Sequence, residues 1–338
     1  MTCRTPESAG RLAMAIAVGL LASLTLACGS GPAAEDTSWT VPSTPWGDPD
    51  VQGVWTNATI TPLQRPARFA DKEFLTEEEA ATLERETAEA RVDRPPEPGN
   101  PGTYNQIWFD RGEKVVRTRR SSLIIDPPDG RIPYTAEAQR ANASADPGRG
   151  RDYWNDYTDL DTGERCLTDG LPHVPYVYNN NYQIVQTPGY VIILHEMFNE
   201  VRAIPLDGRP HLDPSIRQWF GDSRGRWEGN TLVVDTTNFN DRTGYRWGAA
   251  WRASRPTLHL TERFTRVDPT TIEYEFTVED PEMFSRPWTG VVPMTTDQGS
   301  VGATQGQLFE YACHEGNYSI VNVLSGARAS ERSTLSRR

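Results

Sequence analysis

From Thr271 to Glu279 the chain alternates with a period of two. Ile272, Tyr274, Phe276 and Val278 fall on one side, and Glu273, Glu275, Thr277 and Glu279 on the other. That pattern predicts a strand with one core face and one wet face, as in an antiparallel sheet. Similar reading predicts strands at Leu123–Asp126, Tyr182–Thr187, Tyr190–Glu196, Val201–Leu206, Thr231–Asp235, Leu258–Val267, Trp288–Pro293 and Gln307–Ala312. Pro188-Gly189 marks a hairpin turn and Pro127–Gly130 a second turn. Helical signals are few. Thr76 and Glu79 form a capping box ahead of an acidic, alanine-rich run to Val92, and Asp213-Pro214 predicts a short helix through Phe220. Between them, "RPPEPGNPG" (residues 94–102) reads as an extended connector.

The predicted fold is mainly β: an antiparallel calycin-like barrel or sandwich with a few peripheral helices. "GVW" (Gly53–Trp55) and "GRW" (Gly225–Trp227) each precede a β pattern and are similar to the first-strand G-x-W of lipocalin-type barrels. They suggest two halves, 46–212 and 213–330, within one β-rich region at 46–330, followed by a tail at 331–338. Two unrelated core tryptophans are the plainer alternative.

Arg4 and Arg11 precede an apolar run from Leu12 to Ala27, the layout of a signal peptide over residues 1–27. The run is short for a membrane-spanning helix. Ala27-Cys28 is similar to a lipoprotein lipobox, so Cys28 is the expected lipidation site; an ordinary signal peptide cut nearby is the alternative. Both export the chain. Gly29 after the cysteine fits sorting to the outer membrane, at its periplasmic face or the cell surface. Membrane contact is then expected only through the lipid, with residues 28–45 as a flexible tether.

A formal charge of −12 argues against a nucleic-acid partner. With Cys3 removed and Cys28 lipidated, Cys166 and Cys313 remain for a disulfide in an oxidising compartment. Its nominal stabilisation is about 4–5 kcal/mol. The rival reading is a reactive Cys313 thiol beside His314.

The segment "VIILHEMFNEVRAI" (Val191–Ile204) stops one histidine short of the H-E-x-x-H zinc helix. Its β-branched residues follow a Pro-Gly turn and favour a strand, with a turn at "MFNE". On a strand, His195 and Glu196 point to opposite faces and do not share a metal. Glu262 falls on the core face of "LHLTERF", where a carboxylate needs an arginine partner or lines a cavity. Asp235 ends a strand and is placed to orient a histidine or form a turn. "YNNNYQ" brings Asn181 and Tyr182 together as polar-edged, aromatic binding groups, or forms an ordinary Asn-rich turn. "CHEGNY" puts His314 and Glu315 beside the expected disulfide, facing "ERCLTDGLPH". The histidines at 173, 195, 211, 259 and 314 are scattered in sequence. Neither a C-x-x-C, a nucleophile elbow, a phosphate loop nor a dinucleotide fingerprint is present, so neither metal nor cofactor is expected.

Seven segments, "TPWGDPDVQGVWTNATITPLQRP", "RSSLIIDPPDGRIP", "NNNYQIVQTPGYVIILHEM", "RAIPLDGRPH", "GDSRGRWEGNTLVVDTTNF", "HLTERFTRVD" and "YACHEGNY", resemble a large family of exported bacterial proteins from soil and marine lineages. The resemblance implies export and a shared fold. It carries over no activity and no catalytic residues.

Two functions are expected to compete. One is binding of a small, partly apolar molecule in a β-lined interior cavity, with Asn181, Tyr182, Glu196, Arg202 and Asp235 as contacts. The other is a cofactor-independent lyase, isomerase or hydrolase in the same cavity, with His195 or His314 as base and Glu262 as acid. Neither the ligand nor the oligomeric state is legible.

Overall fold

Among the described residues, ten strands join in one antiparallel sheet. In chain order the elements are β1 (Gly53–Thr56), α1 (Glu77–Ala90), β2 (Ile124–Asp126), α2 (Ala136–Ser144), β3 (Asn181–Thr187), β4 (Tyr190–His195), β5 (Glu200–Pro205), β6 (Asp222–Glu228), β7 (Thr231–Thr237), β8 (His259–Asp268), β9 (Thr271–Glu279), β10 (Trp288–Thr295) and α3 (Ser319–Leu335). The structure, a computed structural model, describes residues 39–93, 95, 98, 105–144, 160–242, 251, 255–303 and 308–336. The expected signal peptide, Cys28, the tether before Trp39 and most of the 94–102 connector lie outside the described residues. Among the described residues no helix is long and apolar enough to cross a membrane.

The strand order is β5-β4-β3-β1-β10-β9-β8-β7-β6, with β2 paired to β10 beside that path. Rolled up, this is a nearly closed up-and-down barrel. The two candidate halves of the sequence are not separate folds: one sheet runs through both. The join at β1 and β10 is narrow, with Thr56 opposite Thr295. The other join, between β5 and β6, closes through side chains. A Cβ on Gly225 would lie 2.6 Å from Leu206 Cδ2 and 2.8 Å from Ile204 Cγ2. Glycine in the second G-x-W therefore lets β6 approach the end of β5. The tryptophans of the two motifs differ. Trp55 is fully buried and donates from Nε1 to Val51 O at 3.1 Å, whereas Trp227 is half-buried at the edge of the core.

Alternation fixes which faces turn inward. Ile272, Tyr274, Phe276 and Val278 of β9 are all buried. They meet Trp288, which stands edge-on to Phe276 at 5.6 Å, and Phe264, which stacks on Tyr274 at 4.7 Å. Aromatic side chains thus fill much of the barrel interior. Outside, α1 starts on the expected capping box. Thr76 Oγ1 accepts from Glu79 N, and Glu79 Oε2 accepts from Thr76 N.

Three sequence expectations need correction. Residues 213–220 form turns, not a helix. Gln218 bridges Phe239, and Arg217 Nη1 donates to Phe239 O, so these local tertiary bonds override the Asp-Pro start signal. The described residues 308–312 are not a strand; their backbone bonds instead to side chains of the β4–β5 turn. The expected tail from 331 is largely helical, because α3 continues to Leu335.

Candidate functional site

Cross-strand register builds the site. Trp55, Tyr182, His195 and Glu200 are consecutive partners across β1, β3, β4 and β5. Directly opposed residues of an antiparallel sheet share a face. Tyr182, His195 and Glu200 are all buried, together at one end of the barrel. The loop Glu196–Asn199 closes the β4–β5 hairpin, so His195 and Glu200 are its last pair. Phe198 and Asn199 take positive φ values of 56° and 52° to make that turn.

His173, from the loop before β3, completes the group. Its Nε2 lies 2.9 Å from Glu200 Oε2, and the two imidazole centroids are 4.1 Å apart. Tyr182 stacks on His195 at 4.4 Å and 5° between planes. The other carboxylate oxygen of Glu200 accepts from Thr168 Oγ1 at 2.6 Å and Asp169 N at 3.0 Å. His195 Nδ1 is 3.6 Å from Glu200 Oε2, too far for a hydrogen bond, and among the described residues it has no hydrogen-bond partner. Burial pushes Glu200 upward, but the His173 hydrogen bond and the nearness of His195 outweigh it and hold the carboxyl at about 2. Burial and the neighbouring His195 ring lower His173 to about 4, against the pull of Glu200. At neutral pH the pair is a carboxylate and a neutral imidazole.

Glu262 has different surroundings. Arg202 Nη1 and Nη2 donate to its two oxygens at 3.0 and 2.5 Å, and Tyr274 OH donates at 2.8 Å. Arg202 Nη2 also reaches Ser223 Oγ on β6 at 3.1 Å, so the pair spans the open join of the barrel. Burial lowers Arg202, but the charge and hydrogen bonds of Glu262 reverse this and raise it. Burial then drives the Tyr274 phenol well above its ordinary value. Of the two sequence readings of Glu262, the structure realises the arginine bridge.

The other sequence candidates divide. Asn181 Nδ2 donates to Glu196 Oε2 at 2.7 Å, and Glu196 Oε1 accepts from Phe309 N at 2.8 Å. Both residues therefore anchor the C-terminal segment. His314 is exposed and is not part of the His195 group. Asp235 does orient a histidine, and in fact two. Its oxygens lie 2.7 Å from His211 Nε2 and 2.7 Å from His259 Nε2. Asp222 backs His211 Nδ1 at 2.9 Å.

The hydrogen bond to Asp235 raises His259 above its ordinary 6.5, against its burial. In return, the His259 bond lowers Asp235 below 3.8. His259 thus contributes stability fully below about 6.5, and this is lost as pH rises through its folded value. Asp235 contributes above about 3.8 and loses this as pH falls. The pair is partly exposed, so its worth is at most about 1 kcal/mol. NMR titration should find His259 protonating above an ordinary imidazole, and Asp235→Asn should return it to the ordinary range. An unchanged midpoint in that variant contradicts the pairing.

The disulfide Cys166–Cys313 forms, with 5.7 Å between Cα atoms. It brings "ERCLTDGLPH" and "CHEGNY" together, and between them lies a cleft of about 570 Å³. Tyr178 and Tyr311 line it with Trp108, which is 65% exposed. Asn179, Asn317, Glu164 and Glu315 supply its polar edges. Aromatic contacts tie the cleft to the buried group: Tyr178 stacks on Tyr311 at 6.3 Å, and Tyr311 meets Phe198 at 4.8 Å. Asn199 accepts from Tyr311 N at 3.2 Å and donates to Tyr311 O at 3.1 Å. A second cleft of about 600 Å³, beside α1, has no aromatic lining, and its Lys114 is paired with Glu84. Neither cleft is lined by His195 or Glu262.

Sequence reading left His173, Glu200, Trp108 and Tyr311 without a role. Only Glu200 carried a usable signal, as the residue that closes a four-residue hairpin loop opposite His195. Comparisons with protein-family models, curated proteins and solved structures find no match to this chain, so its function is argued from this geometry.

Proposed function

We propose that this is an exported protein that binds a small, partly apolar molecule with polar edges, in the cleft at the disulfide-stapled end of the barrel. One observation carries the reading: Trp108, Tyr178 and Tyr311 line a cleft of about 570 Å³ together with two amides and two carboxylates. Aromatic faces stack on flat or CH-rich surfaces, and the amides and carboxylates select polar edges. With Glu164 and Glu315 at the rim and a net charge of −12, a neutral or cationic ligand is favoured over an anionic one. The sequence expectation placed the ligand inside the barrel; the cleft lies outside the filled interior. The disulfide supports export, because it needs an oxidising compartment.

Trp108 is the residue to test. It is exposed, so its removal leaves the fold intact. Neutral saccharides, aromatic amines and aromatic carboxylates are titrated against the protein by calorimetry. A neutral or cationic compound is expected to bind, and Trp108→Ala to weaken it about 10-fold or more, the worth of one stacked aromatic anchor. Phe74→Ala, an exposed aromatic outside the cleft, serves as the control. Equal loss in both variants, or a preference for the carboxylates, contradicts the assignment.

The enzyme reading finds its best support elsewhere. Asp235 holds two partly exposed imidazoles, a suitable arrangement for acid–base chemistry, whereas Glu262 is buried in an ion pair with Arg202 and His195 is buried away from both clefts.

A further inference from the structure

We propose that His173, His195 and Glu200 form a binding site for one divalent first-row transition ion, such as zinc. One ring nitrogen from each histidine and a Glu200 oxygen all lie within 4.8 Å of one another. Two of the separations are 2.9 and 3.6 Å, both to Glu200 Oε2. Around a zinc ion with bonds of about 2.0–2.1 Å, tetrahedral ligand atoms sit about 3.3 Å apart. Both separations to Glu200 therefore lie within a few tenths of an ångström of that spacing. All three are buried: two close a hairpin, and the third lies in the loop before β3.

The second observation is independent of the spacing. His195 is 6% exposed, yet among the described residues its Nδ1 has no hydrogen-bond partner, and it points toward the Glu200 carboxylate. A buried imidazole nitrogen left in this state is costly unless something accepts its lone pair. A cation placed between His195, His173 and Glu200 does so. It also offsets the buried carboxylate, whose other oxygen is already fixed by Thr168 and Asp169 in the way that outer groups orient a metal-bound carboxylate.

Two imidazoles and one carboxylate suit zinc, cobalt(II) or iron(II) rather than calcium or magnesium, which prefer oxygen-only sets. The site is distinct from the proposed ligand cleft, and neither needs the other. Sequence reading expected no metal because it sought ligands close together in the chain. His173 and His195 are separated by a loop and the β3–β4 hairpin, and only the fold joins them.

The protein is stripped with a chelator and titrated with zinc by calorimetry, and its melting temperature is followed. One zinc per chain and a raised melting temperature are expected. His195→Gln and Glu200→Gln should each weaken binding on the order of 100-fold, while His259→Gln leaves it unchanged. Because the buried variants risk misfolding, X-ray absorption on the zinc-loaded wild type gives a second readout, with two imidazoles in the metal shell. The absence of stoichiometric binding overturns the proposal. So does a shell without imidazole, or binding lost in His259→Gln and kept in His195→Gln.

Discussion

Arg202→Ala is expected to lower the unfolding free energy by about 3–5 kcal/mol, the usual cost of stripping one partner from a buried ion pair. The reason lies at Glu262, which is 1% exposed and accepts two Arg202 hydrogen bonds and one from Tyr274. Without the guanidinium, that carboxylate is stranded beside Phe276 and Val234, its neighbours in the ladder. The Arg202 contact across to Ser223 on β6 is lost as well, at the join where β5 and β6 share no ladder. Urea denaturation measures the effect directly. The pair itself is a different matter. Its desolvation cost nearly cancels its attraction, so replacing both residues with methionine should recover at least half of the loss. If the double variant is as unstable as the sum of the single ones, Arg202 and Glu262 do not act as a pair.

Replacing both Cys166 and Cys313 with serine is the second large effect. The bond closes a loop over a separation of 147 residues, for which chain entropy gives about 5 kcal/mol as an upper figure. Measured values for native disulfides run at about 2–5 kcal/mol, and a loss in that range is expected here. A second consequence is specific to this chain. The bond holds Cys313 against the segment of Gly163 and Glu164, so opening it separates two walls of the cleft. Ligand affinity should fall together with stability. The aromatic packing on β8–β10 should keep its near-ultraviolet signal, because Trp288, Phe276, Phe264 and Tyr274 pack independently of that bond. Loss of that signal at neutral pH without denaturant contradicts the division.

Much of the sheet was legible because period-two alternation is strong in β8 and β9, and because Pro188-Gly189 marks the β3–β4 hairpin. The same alternation put Glu262 inward and demanded a partner. β6 was missed as an edge strand. "DSRGRWE" has a single large apolar residue, Trp227, and its pairing is set by β7, not by its own pattern. α3 escaped because "SIVNVLSGARASERSTL" is mostly exposed and carries no N-terminal cap. The buried histidine group was illegible for another reason. Its members meet through register and through a loop that returns beneath β4, and neither is written in local pattern. The cleft is legible in part: "YNNNYQ" and "CHEGNY" were singled out, and the disulfide joins "CHEGNY" to "ERCLTDGLPH". Trp108 comes from a segment with no such mark.

The most direct measurement maps a bound ligand by amide chemical-shift perturbation, using the tightest compound from the calorimetric series. Shifts are expected at Trp108, Tyr178, Asn179 and residues 311–317, and the amides of β8 and β9 should stay still. Shifts centred on Glu262, Tyr274 and Ile193 would place the ligand inside the barrel and contradict the cleft.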